Sequence, residues 1–397
     1  MVITIPDLQK YNFAPDYQAI FDLAFRYARD ELHKLSERMD NEDWFPESEY
    51  RAMHEQGILG ATVAQEYGGP GLDVLAQCLI CEALSYWNHS VAASYLASDN
   101  LCINNLTHNA NALQKQQYFP QFCSGAAIGA LGMTEPGAGS DALGSMTTVA
   151  HRDGDNFVLN GRKLFITNGP IADVLLVYAK TAPDLGNKGI SAFLVERSFD
   201  GFHVAQKLDK MGWRGSPTGE LVFDDCLVPA GNLLGEENAG AGIMMSGLDI
   251  ERAIAAFYCL GMTQRALDLS IEYANTRKQF GQTIGNFQMV QAILADMYTD
   301  VETMRALTYQ LGREVLHLMP GEGGRGEIHK RSAAAVLHAG RASMRVLDNA
   351  VQLHGGMGFM RESEVNRLYR SGKVMEIGAG TNQVRQMIIA GELLKTE

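Results

Sequence analysis

The loop spanning residues 130–141, ALGMTEPGAGSD, holds residue types that could do chemistry. Gly137 and Gly139 let a backbone approach a ligand closely, and the hydroxyls of Thr134 and Ser140 flank them. Such N–H groups and hydroxyls suit a phosphate-bearing cofactor, although a plain turn between two strands would use the same glycines. A Rossmann fingerprint does not fit, because Pro136 interrupts the approach, the third glycine is misplaced and no βαβ unit surrounds the loop. Glu251, in SGLDIERAIAA, is an acid on a helix whose other residues are mostly apolar. Acids near a helix start are common for dipole reasons, so Glu251 beside Arg252 also reads as a surface pair. Cys78 and Cys81 form a C-x-x-C inside the apolar run LDVLAQCLICEAL and read as buried structural thiols. The ten histidines lie singly, without metal-ligand spacing, and no metal site is expected.

Three blocks must position these residues. FDLAFRYARDELHKLSERMD, VLAQCLICEALSYW and NALQKQQYFPQFCSG carry apolar residues at three- and four-residue spacing, predicting an all-α domain over residues 1–126. Over residues 127–238 short β-type runs alternate with turn signals. FVLNGRKLFITNG contains Asn160-Gly161, which predicts a hairpin turn, and VLLVYAK, GISAFLVER and GELVFDDCLVP follow. Strands without intervening helices predict an antiparallel barrel or sandwich, so the chain is α+β. Over residues 239–397 three long helical segments return, the second and third separated by the Gly-rich loop PGEGGRGE.

Bulk properties exclude other classes. The chain has 397 residues and a net charge of −13, with no basic cluster to neutralise phosphates, so no nucleic-acid partner is expected. No apolar run approaches the roughly 20 residues that cross a bilayer. The start, MVITIPDLQKYNFAPDY, lacks the basic and apolar regions of a signal peptide, which makes a cytoplasmic protein the expectation. Six cysteines in a chain this long do not make a disulfide framework.

Order along the chain adds more. TEPGAGSD is followed by LNGRKLFITNGP (159–170), KMGWRGSPTGELVFDD (210–225), TRKQFGQTIGNFQ (276–288), LHGGMGF (353–359) and IGAGTNQ (377–383). Together these resemble the acyl-CoA dehydrogenase family over nearly the whole chain. LCIN (101–104), ITNGPIADVLLVYAKT (166–181), MSGLD (245–249) and EIGAGT (376–381) are similar to its isovaleryl-type branch. The resemblance implies a C-terminal four-helix bundle and FAD held between the β domain and the C-terminal helices. By that likeness Met133 and Thr134 contact the isoalloxazine, with Phe165, in place of a usual tryptophan, and Thr167 flanking it. Arg277, Phe280, Gln288, Gln352 and Gly356 would reach FAD from a neighbouring subunit, and Thr381 and Gln383 would complete the cofactor site. Ser140, also a cofactor contact, and Arg252 would hold the CoA moiety. A shared site implies an oligomer, in this family usually a homotetramer, with electron-transfer flavoprotein as the electron acceptor. Taken alone, Arg277 reads equally as a solvated helix-end arginine, Phe280 as core packing and Gln352 as a cap or interhelical hydrogen bond.

The implied reaction, α,β-dehydrogenation of an acyl-CoA thioester, needs a base for the C2 proton and donors for the thioester oxygen. In MEIGAGTNQ an alanine, Ala379, stands where many family members carry a catalytic glutamate. Its backbone N–H can still serve the oxygen beside a flavin ribityl hydroxyl. Isovaleryl-type enzymes place their base at the position of Glu251, which is therefore the expected base; Glu376 is its rival, and Glu135 reads as a loop-structuring acceptor. Gly378 and Ala379, small where straight-chain enzymes often have Tyr and Glu, leave room for a methyl branch. Phe257-Tyr258-Cys259 and Tyr95–Asp99 depart from the isovaleryl-type pattern and could refill or redirect that space. Alternatives are an acyl-CoA oxidase, a non-redox, desulfinase-like member, or a non-catalytic flavin-binding module.

Overall fold

A computed structural model describes residues 2–318 and 323–395 of the chain; residues 320–322 of the Gly-rich loop lie outside the described residues. Helix α1 (Pro15–Tyr27) opens on a proline, whose missing N–H is an unpaired position there anyway. Helix α2 (Val74–Trp87) is capped by Asp73, which accepts from the Ala76 N–H at 2.9 Å, and is buried almost throughout. That burial covers Cys78 and Cys81 and pushes both thiols up. Between α2 and α3 (Ala112–Cys123) the chain makes wide π-type turns over Leu96–Asn104, nearly all of them buried. Asn111 and Gln114 start α3 with a reciprocal capping box.

The middle block is one eight-stranded sheet: β1 (Gly129–Gly132), β2 (Val149–Asp153), β3 (Asn156–Thr167), β4 (Val174–Lys180), β5 (Ile190–Glu196), β6 (Phe202–Lys207), β7 (Thr218–Pro229) and β8 (Leu233–Leu234). Its order is β6-β7-β3-β2-β4-β5-β8, with β1 added beside β4. Pairing is antiparallel except for the parallel β1–β4 ladder and a single parallel β2–β4 bridge. Period-two alternation gives β4 two buried faces. Leu175 and Val177 join Phe157, Phe193 and Phe223 inside the sheet, while Leu176 and Tyr178 pack toward Ile103, Phe119 and Ile243 of the helices.

Asn160-Gly161 does not form the expected hairpin turn. It lies inside the continuous strand β3, and the turn is Gly154-Asp155, between β2 and β3. The register against β7 shifts between Leu159 and Gly161, and a Cβ at Gly161 would stand 2.5 Å from Thr148 Oγ1. The glycine answers a close approach of the neighbouring strand, a tertiary demand that outweighs the local turn signal.

The C-terminal block consists of α4 (Gly240–Thr276), α5 (Gln288–Val315), α6 (Gly326–His354), α7 (Glu364–Gly372) and α8 (Asn382–Leu393). Helix α4, 37 residues long, packs on α2, α5 and α6. At the α2 crossing, a Cβ on Gly261 would meet the Glu82 carbonyl at 2.1 Å. The largest apolar core joins Phe25, Leu79 and Tyr86 of the first block to Phe257, Met304 and Val346 of the third. The two helical blocks therefore share one core, with the sheet set against it. No helix among the described residues is long and apolar enough to cross a membrane.

Candidate active site

Glu251 lies in the N-terminal part of α4, on the one position of the run Asp249–Arg252 that is not fully buried. Its carboxylate has no hydrogen-bonding partner among the described residues, and Arg252 does not pair with it. Arg252 turns inward, Nη1 donating to Asp249 Oδ1 at 3.0 Å and lying 3.1 Å from His329 Nδ1. Asp249 also accepts from Ser332 Oγ at 2.9 Å and the Gly324 N–H at 2.7 Å. The surface-pair reading of Glu251 and Arg252 therefore fails. In Arg252, Nε is buried without a partner among the described residues. Burial raises the Glu251 carboxyl to about 7, against the weaker opposing pull of Arg252 and Arg385. Burial first, and the nearby Glu251 charge second, push the Tyr178 phenol on β4 up, which places Glu251 toward the sheet.

Residues 377–381 bridge to α8, whose Arg385 is near enough for its charge to act on the Glu251 carboxyl. Ala379 and Gly380 have φ of 53° and 87°, and the alanine holds that left-handed geometry at a cost of about 1–3 kcal/mol. Thr381 caps α8 by accepting from the Val384 N–H at 3.2 Å. Glu376 is engaged on both oxygens, by Lys373 Nζ at 2.5 Å and Asn382 Nδ2 at 3.1 Å. It is tied into the loop, unlike Glu251.

The glycine loop is anchored by a buried ion pair, Lys163 Nζ to Glu135 Oε1 at 2.8 Å. Glu135 also accepts from the backbone N–H and hydroxyl of both Thr147 and Thr148. Burial would raise its carboxyl, but Lys163 and the threonine donors hold it well below the usual range. A second register shift in β3 follows Lys163; there Phe165, at φ 62°, swings outward and is 65% exposed while Lys163 goes in. The Leu164 N–H bonds the Thr134 carbonyl at 2.8 Å, drawing the loop against the strand. Met133, Thr134, Phe165 and Thr167 thus stand together, and Ser140 is exposed on the same loop. The hydroxyls of Thr134, Ser140 and Thr167 have no partner among the described residues, and Gly137 and Gly139 face open space. An uncovered aromatic ring, free hydroxyls and an open glycine backbone are what a flavin nucleotide needs, so these residues fit FAD.

The remaining expected cofactor residues lie elsewhere on this chain. Arg277 follows α4, Phe280 is 93% exposed in the ribbon Lys278–Thr283, and Gln288 opens α5. Gln352 and Gly356 lie at the far end of α6, beside this group, where His354 stacks on Tyr273 at 4.3 Å. From Glu251 to Arg277 is roughly 40 Å along the helix.

Of the two aromatic residues foreseen near the acyl space, Phe257 stacks on Tyr309 of α5 at 5.6 Å and abuts Gly312. Tyr258 meets Trp213 edge-on at 5.6 Å, is fully covered, and shares the stripe of α4 with Glu251 two turns away. Sequence reasoning missed Lys163 and the wholly buried Arg385. The only signal for Lys163 was its place two residues before Phe165 on one strand, and for Arg385 a lone charge in QVRQM.

Three family models cover this architecture: acyl-CoA dehydrogenase N-terminal domain over residues 14–126, middle domain over 130–226 and C-terminal domain over 238–394. The chain belongs to the acyl-CoA dehydrogenase family. It is an oxidoreductase of that family and uses FAD. It is 42% identical to the mitochondrial isovaleryl-CoA dehydrogenase of Arabidopsis thaliana, over 94% of this chain and 90% of that one. The butyryl-CoA dehydrogenase structure from Megasphaera elsdenii superposes with a TM-score of 0.91 at 35% identity, covering 100% of both chains. A chain solved with the electron transferring flavoprotein of Acidaminococcus fermentans as its subject gives 0.92 at 36% identity, covering 97% of this chain and 100% of that one.

Proposed function

We propose that this acyl-CoA dehydrogenase acts on short acyl-CoA thioesters, methyl-branched ones such as isovaleryl-CoA foremost, and hands the electrons to an electron-transfer flavoprotein. The observation that carries the reading is Glu251, a carboxyl without a protein partner among the described residues, raised to about 7 by burial. FAD, when bound, supplies the acceptor for the C3 hydride. As carboxylate, Glu251 takes the C2 proton; its raised pKa brings its basicity close to the working pH. The Ala379 N–H donates to the thioester oxygen, where charge develops as that proton leaves. Met133, Thr134, Phe165 and Thr167 orient the cofactor ring, Gln383 and Thr381 border it, and Ser140 serves the CoA end. Arg252, expected there too, is buried against Asp249 and His329 and holds its stretch of α4 instead of reaching CoA with its guanidinium. Gly378 and Ala379 leave space for a branch, and Tyr258 fills the space two helical turns beyond the base, which favours a short acyl group.

Arg277, with Phe280, Gln288, Gln352 and Gly356 grouped beside it, lies roughly 40 Å along α4 from Glu251, and these residues are assigned to the FAD of another subunit. A second copy of the chain would bring them there, in an oligomer such as a dimer of dimers, and their distance from Glu251 supports that reading. Relatives named for isovaleryl-CoA and butyryl-CoA bracket the substrate, and the Acidaminococcus likeness supports the electron acceptor. An anaerobic bleaching panel of isovaleryl-, 2-methylbutyryl-, butyryl- and octanoyl-CoA tests the reading. Fastest bleaching by a branched short thioester is expected; octanoyl-CoA in first place would overturn the substrate assignment.

A further inference from the structure

Arg385 is 0% exposed, yet it forms no ion pair among the described residues. From the first turn of α8 its guanidinium reaches back under the loop that precedes the helix. Nη2 donates to the Gly378 carbonyl at 2.6 Å, and Nη1 to the Met375 carbonyl at 2.7 Å and Asn382 Oδ1 at 3.0 Å. A buried cation answered by neutral carbonyls is costly to keep, and a purely structural clamp could be built from an uncharged side chain.

The peptide it grips is the one between Gly378 and Ala379. A trans peptide points its C=O and N–H to opposite sides, and among the described residues there is no cis bond. With Arg385 holding the oxygen, the Ala379 N–H is aimed the other way, and it has no acceptor among the described residues. A cation on the carbonyl oxygen draws electron density from the amide and strengthens its N–H as a donor. The left-handed Ala379 next to it is a strained conformation that needs such a constraint.

We propose that Arg385 is a positioning residue for the thioester: through the Gly378 carbonyl it fixes and polarises the Ala379 N–H that receives the oxyanion charge. The inference rests on the assignment of that N–H to the thioester oxygen. Its part in the reaction is indirect, since the guanidinium lies on the far side of the peptide from the substrate.

The test uses the FAD-loaded enzyme and a 3-thiaacyl-CoA, whose C2 proton can leave without hydride transfer, so its ionisation on the enzyme reads anion stabilisation apart from the redox step. Loss of the Arg385 charge also strengthens Glu251 as a base, which works against the shift expected here. Ionisation is followed by the long-wavelength absorbance of the bound anion as pH is varied. Arg385→Met raises the apparent pKa of the bound analogue by about one unit or more, a tenfold loss of anion stabilisation. It lowers kcat by about 10- to 100-fold, somewhat less than loss of a whole oxyanion donor, and leaves KM within about threefold. Arg385→Lys, which keeps the charge without the two-pronged grip, recovers part of the shift, and it is scored in the same way if Arg385→Met does not fold with FAD. A wild-type ionisation curve in the folded variant overturns the proposal, whatever happens to kcat. Glu251→Gln separates this from the base assignment: deprotonation of the analogue at the wild-type rate there would sink the base and leave the Arg385 curve to be judged by itself.

Discussion

Glu251 and Arg252 are neighbours in sequence and opposites in environment. The Arg252 guanidinium is 3.0 Å from Asp249 Oδ1, whereas the Glu251 carboxylate has no hydrogen-bonding partner among the described residues. Asp249 answers most of the arginine's charge, so little remains to keep Glu251 ionised, and burial decides its pKa. The kcat/KM profile should therefore rise about tenfold per pH unit up to about 7 and level above it. Asp249→Asn frees the Arg252 charge and should move that limb to lower pH by on the order of one unit. A limb that stays in place would contradict the electrostatic account.

The same raised pKa costs stability. Glu251 carries its proton more tightly in the folded chain than in the unfolded one, so its penalty is absent below about 4.5 and fully present above about 7. Glu251→Gln should be the more stable protein at pH 8, by on the order of 1–3 kcal/mol, and equal to wild type near pH 4. Urea unfolding at the two pH values measures the difference.

Lys163 and Glu135 are both buried, at 0% and 1% side-chain exposure. Lys163→Met leaves a buried carboxylate facing four threonine donors without its cation, a change that costs about 3–5 kcal/mol. The glycine loop should loosen with it, so FAD content after gel filtration should fall. Full flavin occupancy together with an unchanged urea midpoint would show that the pair does not organise the loop.

Tyr258→Ala empties space two turns from the base. Loss of a buried aromatic costs about 3–5 kcal/mol, and the vacated volume should admit a longer chain. The ratio of kcat/KM for hexanoyl-CoA to that for isovaleryl-CoA should rise by about tenfold or more, since each well-placed methylene is worth about 1–3 kcal/mol. An unchanged ratio would place the end of the acyl space elsewhere.

The α–β–α order was legible because helices and strands write different periods into a sequence, and a loop such as TEPGAGSD interrupts both. What each buried face packs against was not legible. Periodicity marks Phe257 as buried without showing that it stacks on Tyr309, or that the first and third blocks share one core. Glu135 was readable as a loop acceptor, whereas its partner Lys163 lies 28 residues away and only the fold joins them. Asn160-Gly161 misled because the glycine serves a neighbouring strand. At Glu251 the motif pointed to a base, but the missing partner and the raised pKa belong to the packed structure.

Glu251→Ala, loaded with FAD and mixed anaerobically with its best acyl-CoA substrate, tests the central claim most directly. The variant should stay yellow and bind the thioester, yet bleach at least about 10²- to 10⁴-fold more slowly than wild type. Bleaching at the wild-type rate would mean that another group removes the C2 proton.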